Sequence, residues 1–147
     1  MRVTECLGIE HRILLRQIGR LEEAQQQAAP AGEQRAMVSL LATVLEEHAD
    51  VEDQVLFPAL EPLLGRQGGP LAVMDMEHQE LRRLLSQLAA ATEDVTPLVS
   101  QFIATARDHF AKEDRVLFPL AEQLLSQERL EELGQACLHV QPLERAR

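Results

Sequence analysis

Apolar residues recur along this chain in alternating steps of three and four, the spacing of one face of an α-helix. The first seam reads Leu7, His11, Leu14, Ile18, Leu21 and predicts a helix over about 3–28, ended by the A-P-A-G stretch around Pro30 and Gly32. The second reads Val38, Leu41, Leu45, His48, Glu52, Val55, a helix from about 33 to 57, with Pro58 kinking it or opening a short continuation. Gly65 to Pro70 (G-R-Q-G-G-P) is a loop. A third seam, Leu71, Met74, His78, Leu81, Leu85, Leu88, is followed by Thr96-Pro97, read as an N-cap with proline at the first helical position. The fourth seam, Leu98, Phe102, Thr105, His109, Glu113, Val116, Leu120, reaches about 125. A short helix over about 127–138 and a loose tail after Pro142 complete the chain. Four helices joined by short loops predict an all-α fold, an antiparallel up-down-up-down four-helix bundle over about 3–125 with a short extra C-terminal helix.

The second half repeats the first. His48 to Pro58 (H-A-D-V-E-D-Q-V-L-F-P) returns sixty-one residues later as His109 to Pro119 (H-F-A-K-E-D-R-V-L-F-P), matching at seven of eleven positions. I-E-H-R-I-L-L-R-Q-I around His11 is echoed by M-E-H-Q-E-L-R-R-L-L around His78. In each seam a histidine takes a place that its neighbours of the same phase fill with apolar residues. Glu52 and Glu113 follow His48 and His109 by four residues, one turn further along the same face. Counted from the helix ends, the four histidines lie at similar depths. Antiparallel packing would then bring His11, His48, Glu52, His78, His109 and Glu113 into one layer.

Composition narrows the setting. A chain of 147 residues, 46% hydrophobic and 26% charged, is expected to form a single soluble globular domain. No apolar run approaches the ~20 residues that span a bilayer, and the N-terminus lacks the apolar stretch of a signal peptide, so the cytoplasm is the expected compartment. A net charge of -10 without a basic stripe argues against nucleic acid and anionic membranes as partners. Cys6 and Cys137 are read as isolated free thiols. The absence of Tyr rules out a phenolate ligand or a tyrosyl radical.

Burying a lone carboxylate costs several kcal/mol even after relaxation, so buried charges are paired or bind metal. A polar core network of protonated His and Glu could satisfy one such residue. Six on a twofold-repeated pattern favour a dinuclear metal site. Imidazole and carboxylate without thiolate suit iron, manganese or zinc, with iron preferred. Four histidines and two bridging glutamates, completed by an oxo or hydroxo bridge, leave one position open on each metal.

The set H…HxxxE…H…HxxxE, here His11, His48 with Glu52, His78, and His109 with Glu113, together with the E-D-x-V-L-F-P tails, resembles the hemerythrin-like (HHE cation-binding) domain family over about residues 3–125. The resemblance implies a four-helix bundle holding two non-haem iron ions, with His11 and His48 on one, His78 and His109 on the other, and Glu52 and Glu113 bridging. Such proteins variously bind dioxygen or nitric oxide, sense redox state, reduce peroxide, or donate iron to damaged iron–sulfur clusters. The oxygen-carrying hemerythrins have a further histidine on the third helix, four residues from its partner. Met74 and Arg82 stand there instead, which argues against simple oxygen transport.

The sequence thus points to a di-iron protein binding dioxygen or nitric oxide, or acting in redox or iron sensing. A peroxide- or nitric-oxide-reducing enzyme and an iron donor in cluster repair are the alternatives, with any protein partner unidentified. Among other residues, an acid precedes every ligand histidine: Glu10, Glu47, Glu77 and Asp108. These are expected on the wet shoulder of the bundle, with Glu47 or Glu77 as candidates to reach a metal or relay protons. Phe57, Phe102, Phe110 and Phe118 are expected to pack around the site, Met74 and Met76 to fill core, and His139 to have a surface or packing role.

Overall fold

The computed structural model describes residues 1–139, with side chains described as far as Cys137. Every regular element among them is helical. Helix α1 is Val3–Gln26. Helix α2 covers 31–64 without a break, as Ala31–Val51, a π-helical turn Glu52–Leu56, and Phe57–Leu64. Helix α3 is Pro70–Ala90. Helix α4 covers 96–124 as Thr96–Lys112, a second π turn Glu113–Leu117, and Phe118–Leu124. Helix α5 is Gln127–His139. The expected surface or packing role of His139 and the loose tail after Pro142 lie outside the described side chains and residues. No helix among the described residues is long and apolar enough to cross a membrane.

The two π turns are the main departure from the expected seams. Both begin at the glutamate of the repeat, and both precede a proline, Pro58 or Pro119. Proline has no N–H to return to the carbonyl four residues back, and the N–H of Phe57 and of Phe118 reaches instead to the carbonyls of Glu52 and Glu113. The wider turn delays the helix face by one residue. Leu56, Leu117 and Ala121 are therefore buried where the seams predicted Val55, Val116 and Leu120, and Val116 is exposed. Two smaller corrections are local. On α3 Leu84 is buried in place of Leu85, and on α4, which buries a wider stripe than one seam, Val99 and Ala106 are buried in place of Leu98 and Thr105. Thr96 is the first helical residue, not the cap; Val95 precedes it, and the Asp94 carboxylate accepts from the Thr96 N–H at 3.0 Å.

Packing follows the polar layer. One apolar cluster holds Leu7, Leu56, Phe57, Leu71, Leu117 and Phe118; another holds Leu14, Leu45, Leu81, Leu88, Phe102 and Ala106. Each of α1 to α4 passes from one cluster through its histidine into the other, and the order reverses from helix to helix. Contacts join α1 with α2, α2 with α3, α3 with α4 and α4 with α1, closing a ring.

Helix α5 lies across the first turns of α1, burying Leu130, Leu133 and Cys137 on one face. Gly134 shares that face, and a Cβ added to it would collide with the Met1 carbonyl. Gly134→Ala should therefore destabilise the protein by about 1–3 kcal/mol and lower its thermal midpoint by roughly 5 °C. Gly19→Ala is the matched control, since open space surrounds Gly19 in mid-α1, and it should leave the midpoint unchanged or raise it.

Candidate metal centre

All six predicted side chains converge. His11, His48, His78, His109, Glu52 and Glu113 are each at most 3% exposed. They form two overlapping groups, His11–His48–Glu52–Glu113 and Glu52–His78–His109–Glu113, within each of which the ligand-type atoms lie within 4.8 Å of one another. The glutamates belong to both groups. Glu113 Oε1 lies 3.2 Å from His11 Nε2 and 3.0 Å from His109 Nε2. Glu52 places Oε1 2.6 Å from His48 Nε2 and Oε2 3.8 Å from His78 Nε2. The π turns start at these two glutamates, so the backbone widens where the carboxylates enter the core.

The outer face of each ring carries a regularity that the sequence reading missed. Every Nδ1 meets a carboxylate from the preceding helix, the first helix being served by the fourth. His11 Nδ1 pairs with Asp114 at 2.8 Å, His48 with Glu10 at 2.6 Å, His78 with Asp53 at 3.0 Å, and His109 with Glu77 at 2.8 Å. A carboxylate at Nδ1 holds the proton there and turns the Nε2 lone pair inward. The signal was present: each bracing acid directly precedes a histidine of the repeat or directly follows its glutamate. Glu10 and Glu77 leave the wet shoulder and bind a ring on the neighbouring helix. Glu47 makes no hydrogen bond or ion pair among the described residues, and Asp108 pairs with Lys112 at 3.0 Å.

Inside the layer, hydrogen bonding fails. Both oxygens of Glu52, both of Glu113 and His78 Nε2 are buried without a hydrogen-bond partner, five of the seven such side-chain atoms among the described residues. The 2.6 Å approach of His48 to Glu52 is close but not directed along a hydrogen bond. His11 Nε2 and His48 Nε2 face each other at 3.0 Å. With both Nδ1 protons committed outward, that contact sets two lone pairs against each other unless a proton or a metal ion lies between them. Buried polar atoms are rarely left unpaired, so converging, unsatisfied nitrogen and oxygen atoms fit a bound cation. Their types suit iron, manganese or zinc.

Aromatic rings wall the layer. Phe110 and Phe118 stack on His11 with centroids 4.5 and 5.2 Å away, and Phe57 stacks on His78 at 5.6 Å. Phe102 packs in the apolar cluster beyond. Met74 is core, as expected, but Met76 is 69% exposed. Arg82 reaches Glu46 at 3.1 Å and the bracing Asp53 at 3.0 Å. A crevice beside Leu45, Ala49, Leu81 and Leu85 reaches His48, His78, His109 and Phe110, and its free space is about 10 Å³, roughly one water.

The two halves are not electrostatically equivalent. Asp53 is neutralised by Arg82 and Glu77 by Lys112, whereas no cation other than the histidine itself pairs with Glu10 or Asp114 among the described residues. Burial opposes the charge on His48, but Glu52 and Glu10 outweigh it and raise its pKa to about 9. His109 moves the other way: burial lowers it, with His78 adding to the fall and Glu52 and Glu77 only partly offsetting it. Glu52 is held below its ordinary value although burial opposes this, chiefly by His48. In metal-free protein the His48 proton therefore does part of a cation's work. A raised histidine pKa stabilises the fold fully below about pH 6.5 and loses that contribution as pH rises through about 9. Metal-free protein should lose about 3 kcal/mol across that window, read as a falling urea midpoint, and Glu10→Gln should shrink the loss.

Comparison with known proteins agrees with this geometry. The hemerythrin HHE cation binding domain matches residues 4–133. The iron-sulfur cluster repair protein YtfE of Escherichia coli O139:H28 is 33% identical over 98 residues, covering 57% of this chain and 44% of that protein. YtfE of Salmonella schwarzengrund is 32% identical over 104 residues, covering 59% and 47%. The chain spans just under half the length of these curated relatives. No solved structure matches it. A family match over most of the chain, on a core that gathers the histidines and glutamates of both repeats, shows that this chain belongs to the hemerythrin HHE cation-binding domain family.

Proposed function

We propose that the protein is a non-haem di-iron binding protein that handles a small diatomic or peroxide ligand. On this reading His11 and His48 hold one iron, His78 and His109 the other, and Glu52 and Glu113 bridge, with an oxo or hydroxo group between the metals. Helices α1 to α4 form an antiparallel up-down-up-down bundle around the pair, α5 is an addition to it, and residues 1–147 act as one domain, in the cytoplasm. The observation that carries the reading is the pair of buried clusters sharing two glutamates whose oxygens have no other partner. Bound iron would supply redox chemistry and coordination of the ligand. The chain's own residues orient the imidazoles, exclude bulk water and limit access, since the crevice that reaches His48, His78 and His109 has free space of only about 10 Å³.

The similarity to iron-sulfur cluster repair proteins favours a second reading, iron donation to an iron–sulfur protein. It remains the runner-up because the match covers less than half of those proteins.

Metal analysis of protein purified from iron-replete cells tests the first reading. Two irons per chain are expected, with near-ultraviolet absorption that changes on reduction. Glu113→Gln should lose at least half of the iron while the helical circular dichroism persists. Protein that purifies with no metal and gains no stability on loading would refute the reading. Reversible colour change with dioxygen or nitric oxide would separate ligand binding from repair, and restoration of an apo iron–sulfur protein's cluster would favour the second reading.

A further inference from the structure

The two cysteines, 131 residues apart, are not isolated: Cys6 Sγ lies 2.7 Å from Cys137 Sγ. Both are free thiols at most 8% exposed, in the apolar cluster where α5 crosses α1. Two helices position them, not loops. Leu130, Leu133 and Cys137 form the buried stripe of α5, and Gly134 lets that stripe seat against the Met1 carbonyl. Any side chain there would lift α5 and part the sulfurs.

Two chemistries suit such a pair. With Glu10, the cysteines form a third group of potential metal ligands. However, thiolates sharing one tetrahedral zinc stand about 3.8 Å apart, given Zn–S bonds of about 2.3 Å, and these sulfurs are closer. Glu10 is moreover committed to His48 at 2.6 Å. Covalent pairing meets neither objection.

We infer that Cys6 and Cys137 are a redox-modification site, closing a reversible disulfide that clamps α5 to α1. With hydrogen peroxide as oxidant, the Cys6 thiolate attacks one peroxide oxygen, the O–O bond breaks, and the departing hydroxide takes up a proton as water. The Cys137 sulfur then attacks the resulting Cys6 sulfenic acid, the S–O bond breaks, and a second water leaves. In sum, two thiols and one peroxide give one disulfide and two waters, and a small dithiol reverses the change by exchange. Burial above all, then Cys6 and Glu10, push the Cys137 thiol up and hold it protonated, so its proton passes to the hydroxide that leaves Cys6 as the disulfide closes.

Peptide mapping and thiol titration of the full chain as purified test this, whether or not that protein carries two irons. Stoichiometric peroxide should remove both titratable thiols and lower the mass by two hydrogens within one chain. It should also raise the thermal midpoint by roughly 10 °C, as expected for closing a loop of this length, and dithiothreitol should reverse all three changes. Cys137→Ser should instead accumulate a Cys6 sulfenic acid that dimedone traps, and should show no rise in midpoint. Thiols that persist under peroxide, or disulfides formed only between chains, would overturn the inference. So would a zinc ion that protects both thiols and is lost in Cys6→Ser.

Discussion

Two carboxylates and four imidazoles are buried in one layer with too few protons to reconcile them, and the rest of the molecule is arranged around that conflict. Taking each carboxylate out of water costs several kcal/mol unless compensated, and no lysine or arginine among the described residues pairs with Glu52 or Glu113. Apart from the extra proton that His48 takes up when no metal is bound, the imidazoles have nothing to donate inward, because each ring has its Nδ1 proton engaged outward by a carboxylate. Convergent lone pairs are thus built into the core, a destabilising arrangement alone and a favourable one around cations. The stability of this fold and its capacity to bind metal are one property.

The bracing carboxylates show how that arrangement is held. Each helix lends an acid to the imidazole of the next, so no ring can turn without disturbing a neighbour. Aromatic stacking adds a second restraint, with Phe110 touching His11, His48 and His109. The repeat makes the two halves alike in their inward atoms. Arg82 and Lys112 make them unlike in their surroundings, because a carboxylate already paired with a cation polarises its imidazole less. A pseudo-symmetric set of donor atoms thus sits in two unequal electrostatic settings.

The π turns connect the local sequence to this centre. Proline six residues after each glutamate removes one helical donor, and the helix widens at the residue whose carboxylate must enter the core. Phe57 and Phe118, the residues before the prolines, close those turns through their N–H groups and stack their rings on His78 and His11. One short motif thus supplies a carboxylate, shifts the register and walls the site.

Much of this was determined by the sequence alone. Helix number and approximate limits follow from apolar periodicity, because the burial of one helix face is a local, repeating constraint. The six inward polar residues were legible because each interrupts an otherwise apolar seam, and because the interruption occurs twice. The pairing of Glu10, Asp53, Glu77 and Asp114 with histidines on neighbouring helices was decided only in the folded structure, since it depends on helix rotation and stagger. The one-residue shift after Glu52 and Glu113 escaped a reading that assumed a uniform α-helical period; the prolines were visible, but their effect on the helix face was not. Cys6 and Cys137 looked unrelated for the simplest reason. Nothing local couples residues 131 positions apart, and only the seating of α5 on α1 brings their sulfurs together.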